Sequence, residues 1–186
     1  AVETLAEVAA EHGKLFAVND RADIAALTGA DILHVGQEDL TTEQARQIVG
    51  PEVLIGRSNR NLDMFAASLA DDGIDSAVIG PVYATPTKPD RQPVGVEMGR
   101  EAAALVRRVR AQGSAESHQD SVADIVRPHD RGASDPVKPW WAIGGINAET
   151  AGEVIAAGAE RIVVVRALTE AENPEEAARA LRGAVA

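Results

Sequence analysis

Asp20 and Asp39 are the residues of this sequence with the clearest chemical use. Asn19 and Asp20 follow the apolar run LFAV (15–18), and Asp39 follows the run ILHV (32–35). If the two runs are neighbouring strands, their loops bring two carboxylates together. Such an all-oxygen donor set suits Mg²⁺, which takes one or two carboxylates and completes its shell with water and substrate phosphate. Either Asp alone reads better as a helix N-cap or turn residue. As a pair at successive strand ends, the metal reading is the stronger one.

The segment Thr85-Pro86-Thr87-Lys88 follows the run AVIG (77–80) and sets two hydroxyls beside an ammonium. Lys88 supplies positive charge for a phosphate, and Thr85 and Thr87 can donate to phosphate or carboxylate oxygens. The proline stiffens the loop, so binding has less order to impose. A Pro/Thr turn with an exposed lysine is the plain alternative. Ser58, after the run VLIG (53–56), is either a donor to a diphosphate or a loop serine bonded to its own backbone. The segments AIGGIN (142–147) and VVVRAL (163–168), at two further strand ends, complete the set. Glycine lets backbone N–H groups approach an anion closely.

The histidines carry less. His12 precedes a helix-ending glycine, and His34 lies inside an apolar run, where a satisfied interior histidine is the expected role. His118 and His129 fall in a polar stretch. Trp140 and Trp141 open a further run and read as packing residues.

What must position these groups is a set of short elements. Six apolar runs, LFAV, ILHV, VLIG, AVIG, WWAI (140–143) and RIVVV (161–165), alternate with segments of helical periodicity such as RADIAALTGA, TTEQARQIVG, LDMFAASLADDG, MGREAAALVRRV and AETAGEVIAAG. Runs that are apolar on successive residues suit strands covered on both faces, and the βα alternation predicts a parallel sheet. No G-x-G-x-x-G turn opens the first helix, which speaks against a Rossmann sheet. Polar clusters follow every strand (NDR, GQED, RSNR, TPTK, GGIN, RALTE), as expected if all six line one mouth. Barrel enzymes build their sites at that C-terminal face. The expected fold is therefore α/β, a TIM (β/α)8 barrel lacking an N-terminal strand–helix–strand segment, because six strands are visible and the chain opens inside a helix. Residues 1–186 form a single partial barrel domain, with a polar, flexible insertion at about 111–138 that joins a helix to a strand on the bottom face.

Composition narrows the partners. With 29 acidic and 18 basic residues the net charge is −11, which disfavours nucleic acid and anionic membranes and obliges an anion site to supply its own positive field. The chain has no cysteine, so disulfides and cysteine-bound metals are excluded. The opening AVETLAEVAAEHGK reads as an acidic amphipathic helix rather than a signal peptide, and the expected setting is cytoplasmic.

Taken together, VNDRADIA (18–25), GADILHVGQEDL (29–40), IGRS (55–58), GPVYATPTKPD (80–90), AIGGIN and RIVVVRAL resemble the thiamine phosphate synthase family along nearly the whole chain apart from 111–138. The resemblance implies a transferase that joins 4-amino-5-hydroxymethyl-2-methylpyrimidine diphosphate to a thiazole phosphate. It implies Mg²⁺ on Asp20 and Asp39. Asn19, Ser58 and Lys88 would contact the pyrimidine and its leaving group, with Ser58 and Lys88 catalytic. Thr85 and Thr87 would hold the thiazole partner, and Gly145 with the backbone at Val165 and Arg166 would receive its phosphate. Arg166 stands where many members have serine, and an Arg- and Lys-bearing segment of the second barrel strand lies outside the sequence. Two alternatives accompany this reading, a thiazole tautomerase-like isomerase and a non-catalytic phosphate-binding barrel fragment. A homo-oligomer, or fusion to another thiamine-pathway domain, is compatible with either.

Overall fold

The computed structural model describes residues 2–87, 89–116 and 137–185. Helix α1 (Val2–Glu11) leads to strand β1 (Ala17–Asn19), α2 (Ala22–Thr28), β2 (Ile32–Val35), α3 (Thr42–Val49), β3 (Leu54–Asn59), α4 (Leu62–Ala70) and β4 (Ser76–Ile79). There follow α5 (Gly95–Glu116), β5 (Trp140–Ile143), α6 (Ala151–Ala156), β6 (Ile162–Val163), α7 (Arg166–Thr169) and α8 (Pro174–Val185). Local signals fix several boundaries. Thr41 and Gln44 form a capping box before α3, the Asn61 side chain accepts from Met64 N–H before α4, and Gly29 closes α2 at φ 63°.

All pairings are parallel and sequential, in the order β1-β2-β3-β4-β5-β6, and the sheet curls into a half-barrel. The register sets His34 opposite Gly56 and Gly56 opposite Ser76. Side-chain alternation then divides the two faces. On the outer face Val18, Leu33, Val35 and Ile55 pack against Ala22, Ala25 and Ala45 of α2 and α3. Ile79, Trp140 and Ala142 pack with Phe65, Met98 and Ala102 of α4 and α5. Phe65 meets Trp140 edge to face, ring centroids 5.7 Å apart. Alanine on the helices lets them sit close to the sheet, which is how a core forms with few aromatics. The alternate residues Asn19, His34, Ser58, Ile143 and Val163 turn to the concave side.

Helix α5 runs to Glu116, so the first residues of the expected 111–138 insertion continue a helix. Residues 117–136, with His118 and His129, lie outside the described residues. The chain resumes at buried Val137, and Lys138 Nζ donates to the carbonyls of Ser68, at 3.3 Å, and Asp71, at the C-terminal end of α4. Helix α8 stands beyond the periodic segments singled out in the sequence. Its start is marked by Asn173-Pro174, with Asn173 Oδ1 accepting from Glu176 N–H at 3.2 Å. Among the described residues, no helix is long and apolar enough to cross a membrane.

Candidate active site

The C-terminal ends of all six strands open onto one cavity of about 530 Å³. Asn19 at the end of β1 and Asp20 after it, Ser58 at the end of β3, Thr85 and Thr87 after β4, Gly145 after β5, and Val165 and Arg166 after β6 all line it. Asp39 does not. Its Oδ2 accepts from Gly36 N–H at 2.7 Å, and Gly36 is the β2-loop residue that reaches the cavity wall. Lys88 lies outside the described residues.

A backbone turn places Asp20. Its φ is 64°, its N–H donates to His34 O at 2.8 Å, and Arg21 N–H donates to Asn19 O at 2.7 Å. A non-glycine residue held in the left-handed region costs roughly 1 kcal/mol or more, and such strain concentrates at functional sites. Arg21 is engaged by Asp23, with Nε to Oδ1 at 2.8 Å and Nη2 to Oδ2 at 2.5 Å. Chiefly through those hydrogen bonds, Arg21 holds the Asp23 carboxyl down to about 2.

The loops after β4 and β5 are built as one unit. Val82 N–H donates to Ile143 O at 2.8 Å and Tyr83 N–H to Gly144 O at 3.0 Å. A Cβ on Gly144 (φ 99°) would stand 2.5 Å from Pro81 Cβ, and one on Gly145 (φ 67°) would stand 2.9 Å from Ala84 O. Only glycine permits both the conformation and the approach. Tyr83 OH donates to Glu153 Oε2 at 2.7 Å and so fastens the β4 loop to α6. Burial first, then that carboxylate, push the Tyr83 phenol up to about 12. Further along the same loop, Thr85 Oγ1 accepts from Thr87 N–H at 3.4 Å.

Arg166 is also paired. Its Nε and Nη2 donate to Glu170 Oε1 and Oε2 at 2.7 and 2.8 Å, and both residues line the cavity. The hydrogen bond, followed by the charge interaction, raises the Arg166 pKa and lowers that of Glu170.

Several lining residues carry no individual site role by sequence alone, although Asn147 and Glu170 belong to the GGIN and RALTE clusters. His34 Nε2 lies 2.8 Å from Ser58 Oγ, which makes this interior histidine part of the cavity floor. Arg91 lines the wall three residues beyond Lys88, and Glu170 follows Arg166 at helical i, i+4 spacing, a signal that was available. Asn147 also lines the cavity, but its Oδ1 accepts from Glu149 and Thr150 N–H at 2.9 and 3.0 Å, which starts α6.

The cavity thus combines oxygen donors (Asn19, Asp20), hydroxyls (Ser58, Thr85, Thr87), guanidinium groups (Arg91, Arg166) and glycine backbone. That is equipment for holding small anionic molecules. Among the described residues no three of His, Cys, Asp or Glu gather as a metal cage. Of the two carboxylates expected to share an ion, Asp20 lies in the cavity wall, whereas Asp39 is turned onto the Gly36 N–H and does not line the cavity.

A family model described as "Thiamine monophosphate synthase" matches residues 1–168. Thiamine-phosphate synthase of Saccharopolyspora erythraea is 44% identical over 182 residues, 98% of this chain and 69% of that one. Its counterpart from Thermobifida fusca is 46% identical over 182 residues, covering 98% and 70%. The solved structure of thiamine phosphate pyrophosphorylase from Pyrococcus furiosus superposes with a TM-score of 0.73 at 29% identity, covering 99% of this chain and 73% of that one. With its six parallel strands, its shared cavity and these relatives, the chain belongs to the thiamine monophosphate synthase family.

Proposed function

We propose that this chain is the transferase that couples 4-amino-5-hydroxymethyl-2-methylpyrimidine diphosphate to a thiazole phosphate, giving thiamine phosphate and diphosphate. The observation that carries the reading is the convergence of Asn19, Asp20, Ser58, Thr85, Thr87, Gly145, Val165 and Arg166 on one cavity. Asn19, Ser58 and Lys88 bind the pyrimidine and its diphosphate. Thr85 and Thr87 orient the thiazole, and Gly145 with the backbone at Val165 and Arg166 holds the thiazole's phosphate. The bond between the pyrimidine methylene and the diphosphate oxygen breaks, and its electron pair leaves with the diphosphate. The aminopyrimidine ring spreads the positive charge left on the methylene until the thiazole nitrogen donates its lone pair to that carbon. No protein nucleophile is required, because positioning and electrostatic stabilisation supply the rate. Asp20 and Asp39 are the residues that would hold Mg²⁺, and a bound ion there would supply positive charge to offset that of the departing diphosphate. The setting proposed for the reaction is the cytoplasm, as expected from the acidic, cysteine-free sequence. The named relatives give no support to an isomerase or a non-catalytic barrel.

The test is to incubate the full-length protein with both substrates and follow thiamine phosphate with Mg²⁺ and after chelation. Product should require the metal, and product that persists in chelator overturns the role given to Asp20 and Asp39. Asp20→Ala should lower turnover by roughly 100-fold or more and weaken Mg²⁺-diphosphate binding in calorimetry, with a native circular dichroism spectrum. An Asp20→Ala protein with full activity removes Asp20 from the site, and a wild-type protein that yields no product removes the reaction.

A further inference from the structure

We infer that His34 is a positioning residue that turns the Ser58 hydroxyl proton towards an anionic oxygen of the substrate. The inference rests on the transferase reading of the cavity. Its first support is direct contact, since His34 Nε2 and Ser58 Oγ, on the inner faces of β2 and β3, are 2.8 Å apart and both residues line the cavity. The second is the space made for the ring. His34 lies opposite Gly56 in the register, and a Cβ there would stand 2.9 Å from His34 Nδ1 and 2.9 Å from Ser76 Oγ. The imidazole therefore occupies the slot that glycine leaves, and Ser58 is the next inward residue along β3. The third is that both partners' main chains are tied. Asp20 N–H donates to His34 O at 2.8 Å, and Gln37 Nε2 donates to Ser58 O.

A serine hydroxyl has one proton and two lone pairs. Were Ser58 to donate to His34, it would show the substrate only lone pairs and repel an anionic oxygen. With His34 Nε2–H as donor, Ser58 Oγ accepts and keeps its own proton for the substrate. The resulting chain, Nε2–H to Oγ and O–H to the substrate oxygen, is polarised along its length, so each bond strengthens the next. Negative charge on the leaving diphosphate grows as its bond to carbon breaks, and the chain then contributes most in the transition state. Loss of His34 should accordingly fall on kcat more than on KM.

Two measurements on the full-length protein test this. A long-range ¹H–¹⁵N spectrum shows which ring nitrogen of His34 carries the proton. Protonated Nε2 is expected, and a bare Nε2 overturns the inference. In steady-state kinetics, His34→Ala should lower kcat about 10-fold, less than the loss of a whole stabilising donor. The same change in a Ser58→Ala background should cost under about 2-fold, since nothing is left to orient. His34→Gln, whose amide can donate from a similar place, should recover most of the loss. Losses that multiply independently, or a His34→Ala enzyme with unchanged kcat, overturn the inference. A wild-type protein without turnover instead overturns the transferase reading, and the ring spectrum then decides the His34–Ser58 arrangement by itself.

Discussion

Arg166 reaches the cavity with its guanidinium already forked onto Glu170, so a phosphate bound there, as proposed, would compete with a carboxylate for the same donors. The pairing also puts a negative charge in the wall of the proposed anion site. Glu170→Gln removes that charge and leaves a neutral side chain of the same shape. The expected result is a KM for the thiazole phosphate lower by roughly 3- to 10-fold at low salt, with kcat nearly unchanged and the gain shrinking as salt screens the charges. A KM that rises would show instead that Glu170 holds Arg166 in its productive direction. Tyr83 gives a second reading at this scale, because it is the sole tyrosine of the chain and its phenolate absorbance reports one group. Its folded value of about 12 lies above the ordinary 10.0, so folding favours the neutral phenol. The stabilisation is complete below pH 10 and disappears as pH rises through 12. A titration of the native protein should therefore show a midpoint near 12 that falls to about 10 in urea. Glu153→Gln should lower the native midpoint only partway, since burial is the larger cause. A native midpoint near the ordinary value would mean that the β4 loop is not fastened to α6.

The strands were legible in the sequence because their outward residues, Leu33 and Val35, Ile79, Trp140 and Ala142, must be apolar to pack under helices. The loops were legible because Asp20, Ser58, Thr85 and Gly145 follow those runs. What stayed hidden is what alternation alone decides. His34 and Gly56 sit inside apolar runs, and only the register shows that one fits over the other and faces the cavity. Arg46 was likewise hidden inside a periodic helix. It donates to the carbonyls of Gly50 at 2.9 Å, Val53 at 2.5 Å and Gly73 at 3.1 Å, and to Asp75 Oδ2 at 3.0 Å. Asp75 Oδ2 also accepts from Ile55 N–H at 2.9 Å, so one guanidinium ties together the loops that feed β3 and β4. Arg46→Ala strands these half-buried acceptors and should cost about 2–4 kcal/mol in urea unfolding, while KM stays at the wild-type value. A loss of under about 0.5 kcal/mol would mean that water replaces the guanidinium at no cost.

Across the whole molecule, the bracing cations and the candidate site sit at opposite ends of the strands. A chain of net charge −11 collects Arg91 and Arg166 at the cavity, while Arg46 and Lys138 brace the loops at the far end. Helix α5 connects the two. It starts at Gly95, where Gly95 N–H donates to Val82 O behind the cavity loop, and at 22 residues it spans roughly 33 Å. It therefore delivers the chain at Glu116 to the end remote from the cavity, and Lys138 takes it up there beside the end of α4. Both attachment points of segment 117–136 are thus far from the cavity. Replacing it with a flexible glycine-serine linker of about 8 residues should leave kcat/KM within about twofold and the thermal transition nearly unmoved. If a folded, linker-bearing protein instead lost activity by 10-fold or more, the segment would have to reach round to the mouth of the barrel. The division of labour between the two ends of the strands would then be wrong.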